Sequence, residues 1–236
     1  MMKALLALIL LAPALACDDT VVTVSGTVKF NGPVPPLKVN KALANDPPCC
    51  ALHEKPPAME NLVVDPNGGV RWAFVYVIAG LEGREFSAPK EAVTIDQKGC
   101  VYTPHVAGAQ VGQQVSFRNT DPMLHNVHPI PFVNREYNFG QLQGTVSSVK
   151  FTMKEVPIKV VCNVHPWMTA FVCVVDHPYW AVTDAAGKFE IPGLPAGKYT
   201  IGIWHEGLET VDGKNQVEIT VKANAGLDFQ MQKKAP

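Results

Sequence analysis

The chain has 236 residues, 47% hydrophobic and 17% charged, enough to bury one large or two modest cores. Its formal net charge of −1 leaves no basic footprint for nucleic acid. The 20 prolines and 18 glycines separate short runs rich in valine, phenylalanine and tyrosine, which excludes a helical protein and predicts an all-β one.

The N-terminus carries Lys3, an apolar run from Ala4 to Ala12, and then Ala14-Leu15-Ala16. The run is too short to span a membrane and ends in the small-x-small pattern of a signal peptidase site. Residues 1–16 are therefore expected to be a signal peptide, and the protein to be exported to the periplasm or beyond. Cleavage after Ala16 makes Cys17 the first mature residue, so a lipid anchor at Cys17 stands beside a soluble form. Ala14 occupies the place where a lipobox normally has leucine. No transmembrane segment is expected after processing.

Residues 21–30 alternate well enough to predict a strand, ended by Asn31-Gly32-Pro33. The stretch 33–60 is proline-rich and without periodicity, and reads as a long loop. Leu62-Val63-Val64 is a short strand closed by five turn-formers, Asp65-Pro66-Asn67-Gly68-Gly69. Val70 to Ile78, with Trp72, Phe74 and Tyr76 alternating, is a further strand, and Gly80 and Gly83 mark a boundary near residue 85. From about Ala88 come Ala92–Ile95, Gly99–Pro104 and Gly112–Asn119, the last a strand leaving a glycine turn.

Two later runs, Ile158–Val161 and Ala170–Val175, also read as strands. Between them lies Cys162-Asn163-Val164-His165-Pro166-Trp167-Met168, which puts a thiol, an imidazole and a thioether on one short loop. A thiolate, a histidine nitrogen and a weak axial methionine form most of a mononuclear blue-copper site. The missing second histidine is offered by Met123-Leu124-His125-Asn126-Val127-His128. Beyond Val175, the run from Ala181 to Ile201 reads as three strands joined by turns.

Residues 88–175 resemble the cupredoxins, the plastocyanin and amicyanin class of blue-copper β-sandwiches. The likeness rests on Tyr102-x-Pro104, Gly112-Gln113-x-Val115-x-Phe117-x-Asn119, His125-Asn126-Val127 and Cys162-x-x-His165-x-x-Met168. It implies a Greek-key sandwich over 86–176 holding one type 1 copper on His125, Cys162, His165 and Met168. It also implies that Asn126 ties its strand to the ligand loop, and that His165 carries electrons to a redox partner protein. Pro166 and Trp167 would then form an apolar docking patch, although Trp167 reads equally well as a core residue covering the copper.

Residues 183–199 resemble the transthyretin-like or carboxypeptidase-regulatory β-sandwich through Thr183-Asp184-x-x-Gly187-x-Phe189 and Leu194-Pro195-x-Gly197-x-Tyr199. The likeness implies a second, smaller all-β unit over 177–236. Residues 17–85 are expected to complete it, with Val24 or Val75 meeting Phe189 or Tyr199, unless they pack on the cupredoxin sheet instead.

Six cysteines in an exported protein imply at least one disulfide. A bridge from Cys49 or Cys50 to Cys100 is expected, with Cys50 the preferred partner, and Cys173 is expected to be a buried free thiol. His128, three residues after His125, should point to the opposite strand face. His105 and His128 together are a candidate second metal site.

An electron carrier is the leading function. A copper-delivery protein without redox cycling and a non-catalytic interaction or carbohydrate-binding sandwich are the alternatives. An enzyme is not expected. Copper oxidases and nitrite reductases place a histidine after the ligand cysteine, where this chain has Asn163. A binuclear purple centre would need a second cysteine at Ile158 or Pro166. Asp184 and Glu190 sit in a structural turn and strand without a nucleophile–base pair. Zinc is disfavoured by the methionine and the single thiolate of the loop.

Overall fold

The computed structural model describes residues 20–234, so the expected signal peptide and the anchor at Cys17 lie outside it. In chain order, β1 (Val21–Phe30) precedes two single-turn helices, α1 (Lys41–Ala44) and α2 (Pro47–Cys50), and then β2 (Phe74–Ala79). Next come β3 (Val93–Gln97), β4 (Tyr102–Thr103), β5 (Val106–Gln110), β6 (Gln114–Asn119), β7 (His125–Ile130) and β8 (Phe139–Gln141). They are followed by β9 (Val146–Lys150), β10 (Glu155–Val161), β11 (Thr169–Val175), β12 (Trp180–Val182) and β13 (Lys188–Pro195). The last strands are β14 (Gly197–Trp204), β15 (Leu208–Thr210), β16 (Gln216–Val221), β17 (Ala225–Gly226) and β18 (Phe229–Lys233).

The protein is thus nearly all β, as its turn-rich composition predicts. Three local differences have physical causes. The loop at 33–60 contains α1 and α2, capped by the Asn40 side chain accepting from Leu43 N–H and by Asp46 accepting from Cys49 N–H. Single turns carry no helical periodicity, so pattern reading passes over them. The strand expected from Val70 starts only at Phe74, because Trp72 has φ 69° and breaks the extension. Leu62-Val63-Val64 forms no strand, only one bridge between Val64 and Val70.

Strands β3–β11 form two sheets, ordered β4-β3-β6-β9 and β5-β11-β10-β7-β8, with Ile95, Phe117, Val127, Ile158 and Val172 among the side chains between them. The other two sheets are β13-β1-β18-β15, with β17 also on β1, and β12-β2-β14-β16. Val24, Val75, Phe189 and Tyr199 all lie in the core they enclose. The two strands before residue 86 therefore hydrogen-bond to strands near the C-terminus: Val24 lies opposite Ile191, and Val75 opposite Ala181 and Ile203.

A third apolar layer joins the two sandwiches. Along β11, Ala170, Val172 and Val174 face the first core, whereas Phe171, Cys173 and Val175 pack with Phe74, Tyr76, Trp180 and Trp204. Side chains alternate along a strand, so a strand covered on both faces must be apolar at nearly every position. Each such fully buried valine or phenylalanine contributes about 1.5–3 kcal/mol. The Cys173 thiol sits in this layer, buried and unpaired. Among the described residues, no helix is long and apolar enough to cross a membrane.

Gly108 of β5 lies where the sandwiches touch, and a Cβ there would stand 2.4 Å from the indole of Trp180. That indole is itself stacked on Phe74, with ring centroids 5.5 Å apart, so it has little freedom to yield. Gly108→Ala is therefore expected to cost about 1–3 kcal/mol by overpacking. The denaturant midpoint reads the effect, and an unchanged midpoint would show that the layer is loose.

Candidate metal centre

The loop 162–168 is the turn of the β10–β11 hairpin, framed by the pairing of Val161 with Thr169. It closes on itself: Cys162 N–H donates to Met168 O (3.3 Å) and Met168 N–H to His165 O (2.9 Å). β7 lies on the other side of β10, with His128 opposite Val161, which carries His125 at the start of β7 to the mouth of the loop. There the two Nδ1 atoms of His125 and His165 are 2.9 Å apart, and Cys162 Sγ is 3.9 Å from His165 Nδ1. The ligand atoms of His125, Cys162 and His165 all lie within 4.8 Å of one another, in buried positions. Met168, at the end of the same loop, is buried in the same core as Cys162.

The surroundings hold these groups in place. Cys162 Sγ accepts hydrogen bonds from the backbone N–H of Asn126 (3.3 Å) and of His165 (3.4 Å). The Asn126 side chain accepts from Asn163 N–H (3.2 Å) and donates to Asn138 (2.8 Å), so it links β7 to the ligand loop. Tyr102 Oη donates to the carbonyls of Asn126 (2.5 Å) and Val161 (3.1 Å), fastening the same two strands from below.

Sequence reasoning missed Asp121. Its Oδ2 accepts from His125 Nε2 (2.9 Å) and from Cys100 N–H (2.7 Å), while Oδ1 accepts from Gly99 N–H (2.6 Å). An ionised carboxylate only accepts, so Nε2 of His125 carries the proton and Nδ1 is turned toward His165 and Cys162. The available signal was an acid four residues before the histidine, which in a turn segment has no periodicity to distinguish it.

Charge in the site follows from this arrangement. Burial disfavours an ionised His125, but the Asp121 carboxylate and the Cys162 sulfur outweigh it and raise the pKa to about 9. Burial likewise opposes ionisation of Cys162, yet His125 and the backbone N–H groups bring its pKa below the usual thiol value. His165 is held neutral, first by burial and then by the neighbouring His125 charge.

His105 and His128 do not meet, which corrects the expectation of a second metal site on them. His105 bonds Thr169 O (3.0 Å) and Glu206 (2.5 Å), between the sandwiches. His128 bonds Asn163 (3.2 Å) and Glu136 (2.5 Å), pointing away from His125 as strand alternation requires. The disulfide is Cys49–Cys100, not Cys50–Cys100. On the single turn of α2, successive residues point about 100° apart, so Cys49 faces the core while Cys50 remains free and partly exposed. Pro166 is exposed, but Trp167 is half-buried: its Nε1 donates to Cys100 O (3.1 Å) and its ring lies 5.1 Å from that of His165.

Residues 165–232 match the family model of the carboxypeptidase regulatory-like domain. No curated protein matches the chain. Among solved structures, a Cu-containing nitrite reductase from Thermus scotoductus SA-01 is similar at 22% identity over 42% of this chain, with a TM-score of 0.34. The chain spans only 25% of that protein's length. A purple cupredoxin from Nitrosopumilus maritimus matches at 22% identity, over 35% of this chain and 98% of its own, with a TM-score of 0.31. An amicyanin mutant in its oxidised state matches at 27% identity, over 35% of this chain and 81% of its own, with a TM-score of 0.32. The chain thus combines a carboxypeptidase regulatory-like match over residues 165–232 with a region similar to cupredoxins.

Proposed function

We propose that this is an exported electron carrier that binds one type 1 copper on His125, Cys162, His165 and Met168. The observation that carries the reading is the convergence of two imidazole nitrogens and one sulfur within 4.8 Å of one another at buried positions. Two imidazoles, a thiolate and a nearby thioether suit copper better than zinc or a hard cation. A bound copper ion supplies a one-electron couple at such a site. The protein's own residues supply the frame: Asp121 orients His125, Asn126 and Tyr102 lock β7 to the loop, and backbone N–H groups stabilise the thiolate. In this reading residues 86–176 are the copper-binding unit, set between β2 and β12, and a redox partner protein docks where Pro166 is exposed.

Adding Cu(II) to the metal-free protein is expected to give an intense visible thiolate-to-copper absorption. Cys162→Ser should abolish that band, whereas Met168→Leu should keep it and shift the reduction potential. A colourless protein, or colour that survives Cys162→Ser, overturns the reading.

Metal uptake should also depend on pH. His125 titrates at about 9 in the metal-free protein, so below that pH a metal must displace its proton. Apparent affinity is expected to rise at least about tenfold per pH unit up to pH 9, because one proton or more is released on binding. Competition titrations at several pH values measure the slope, and a flat profile would remove His125 from the ligand set.

A further inference from the structure

We propose that the Cys49–Cys100 disulfide is the closed form of a second, redox-gated copper site, specific for Cu(I), made by Cys49, Cys100 and Met123. The three sulfurs lie together: Met123 Sδ is 3.3 Å from Cys100 Sγ and 3.7 Å from Cys49 Sγ. Both cysteines are fully buried. A histidine nitrogen of His165 lies within 4.8 Å of both sulfurs, so the new site borders the first. The proposal does not require the first site to carry electrons.

Two thiolates and a thioether form a soft donor set, the kind that selects Cu(I) over harder divalent ions. With metal–sulfur bonds of about 2.3 Å, as in zinc thiolates, three sulfurs around one ion stand about 4 Å apart. Met123 Sδ, 3.7 Å from Cys49 Sγ and 3.3 Å from Cys100 Sγ, needs only a small outward shift, so the main change is the opening of the bond between Cys49 and Cys100. A dithiol reductant does this by exchange: the protein disulfide gains two electrons and two protons, and the reductant becomes a disulfide. Cu(I) then takes both sulfurs, and two protons leave. Re-oxidation to the disulfide by a two-electron oxidant removes both thiolates and expels the ion.

The frame permits the change. Cys49 sits on α2, a single turn in the proline-rich segment that belongs to none of the sheets. Cys100 stays anchored, because its N–H is bonded to the same Asp121 oxygen that accepts from His125 Nε2. Trp167 touches both groups of residues: it donates to the Cys100 carbonyl, and its ring lies 5.1 Å from that of His165.

The test is a Cu(I) titration under anaerobic conditions against a chromophoric Cu(I) chelator, in a background carrying Cys17→Ala and Cys50→Ala. A further Cys162→Ala change disables the first site. With Cys162→Ala, the dithiol-reduced protein is expected to take up one equivalent of Cu(I), and the disulfide form none. With Cys162 present, reduction should raise uptake from one equivalent to two. Adding Met123→Leu to the Cys162→Ala protein leaves both cysteines in place. It should weaken Cu(I) binding by more than the about tenfold that loss of even an outer contact costs. Equal uptake in the two redox states overturns the proposal, as does a Met123→Leu protein that binds as before. Loss of the folded circular dichroism on reduction also overturns it, since the site needs the frame. Uptake by the disulfide form with Cys162 present tests the first site separately, so each site can fail without the other.

Discussion

Burial of β11 on both faces is the constraint on which the rest of the structure depends. Its even-numbered residues close the core between the sheets of β3–β11, and its odd-numbered residues pack on Phe74, Trp180 and Trp204 of the other sandwich. A strand held this way has no solvent face to slip toward, because a shift of one residue would exchange two apolar sets of different shape. The ligand loop hangs from its first residue, Thr169, and so inherits that fixed register. The second sandwich is therefore one of the two walls that position β11, and through it Met168 and His165.

The second determinant is one buried carboxylate. Asp121 joins the β4 approach, through Gly99 and Cys100, to the His125 ring, and its burial is tolerated because three donors satisfy it. The same residue fixes which nitrogen of His125 turns inward and holds Cys100 beside Met123. The loop 162–168 and the disulfide thus share one anchor, with Trp167 packed against both. This explains why a cysteine 51 residues from its partner can border a histidine on a third segment.

Much was legible in the chain. The Cys162-x-x-His165-x-x-Met168 spacing is set by a hairpin turn, a local structure that sequence encodes directly, and the strands on either side announced it by their apolar runs. The alternation over 21–30 and the run Thr183-Asp184-x-x-Gly187-x-Phe189 each marked a strand, and in the structure those two strands pair as β1 and β13. Less was legible where the cause lay elsewhere in the fold. Trp72 shortens β2 by adopting a left-handed conformation, a choice that no local pattern reports. The vicinal Cys49 and Cys50 are equivalent as sequence, and only the direction of one helical turn against the core separates them. His105 and His128 looked available because their partners, Glu206 and Glu136, are supplied by other segments.

By itself the sequence determined the all-β class and the strand–loop–strand that sets Cys162, His165 and Met168 on one short turn, because these depend on local alternation, turn residues and spacing. Only the tertiary structure decided that His105 and His128 stay apart, which cysteine pairs with Cys100 and which acid orients His125. Those outcomes depend on the register and direction of strands far apart in the chain, and a one-residue shift in any of them would turn a different side chain inward.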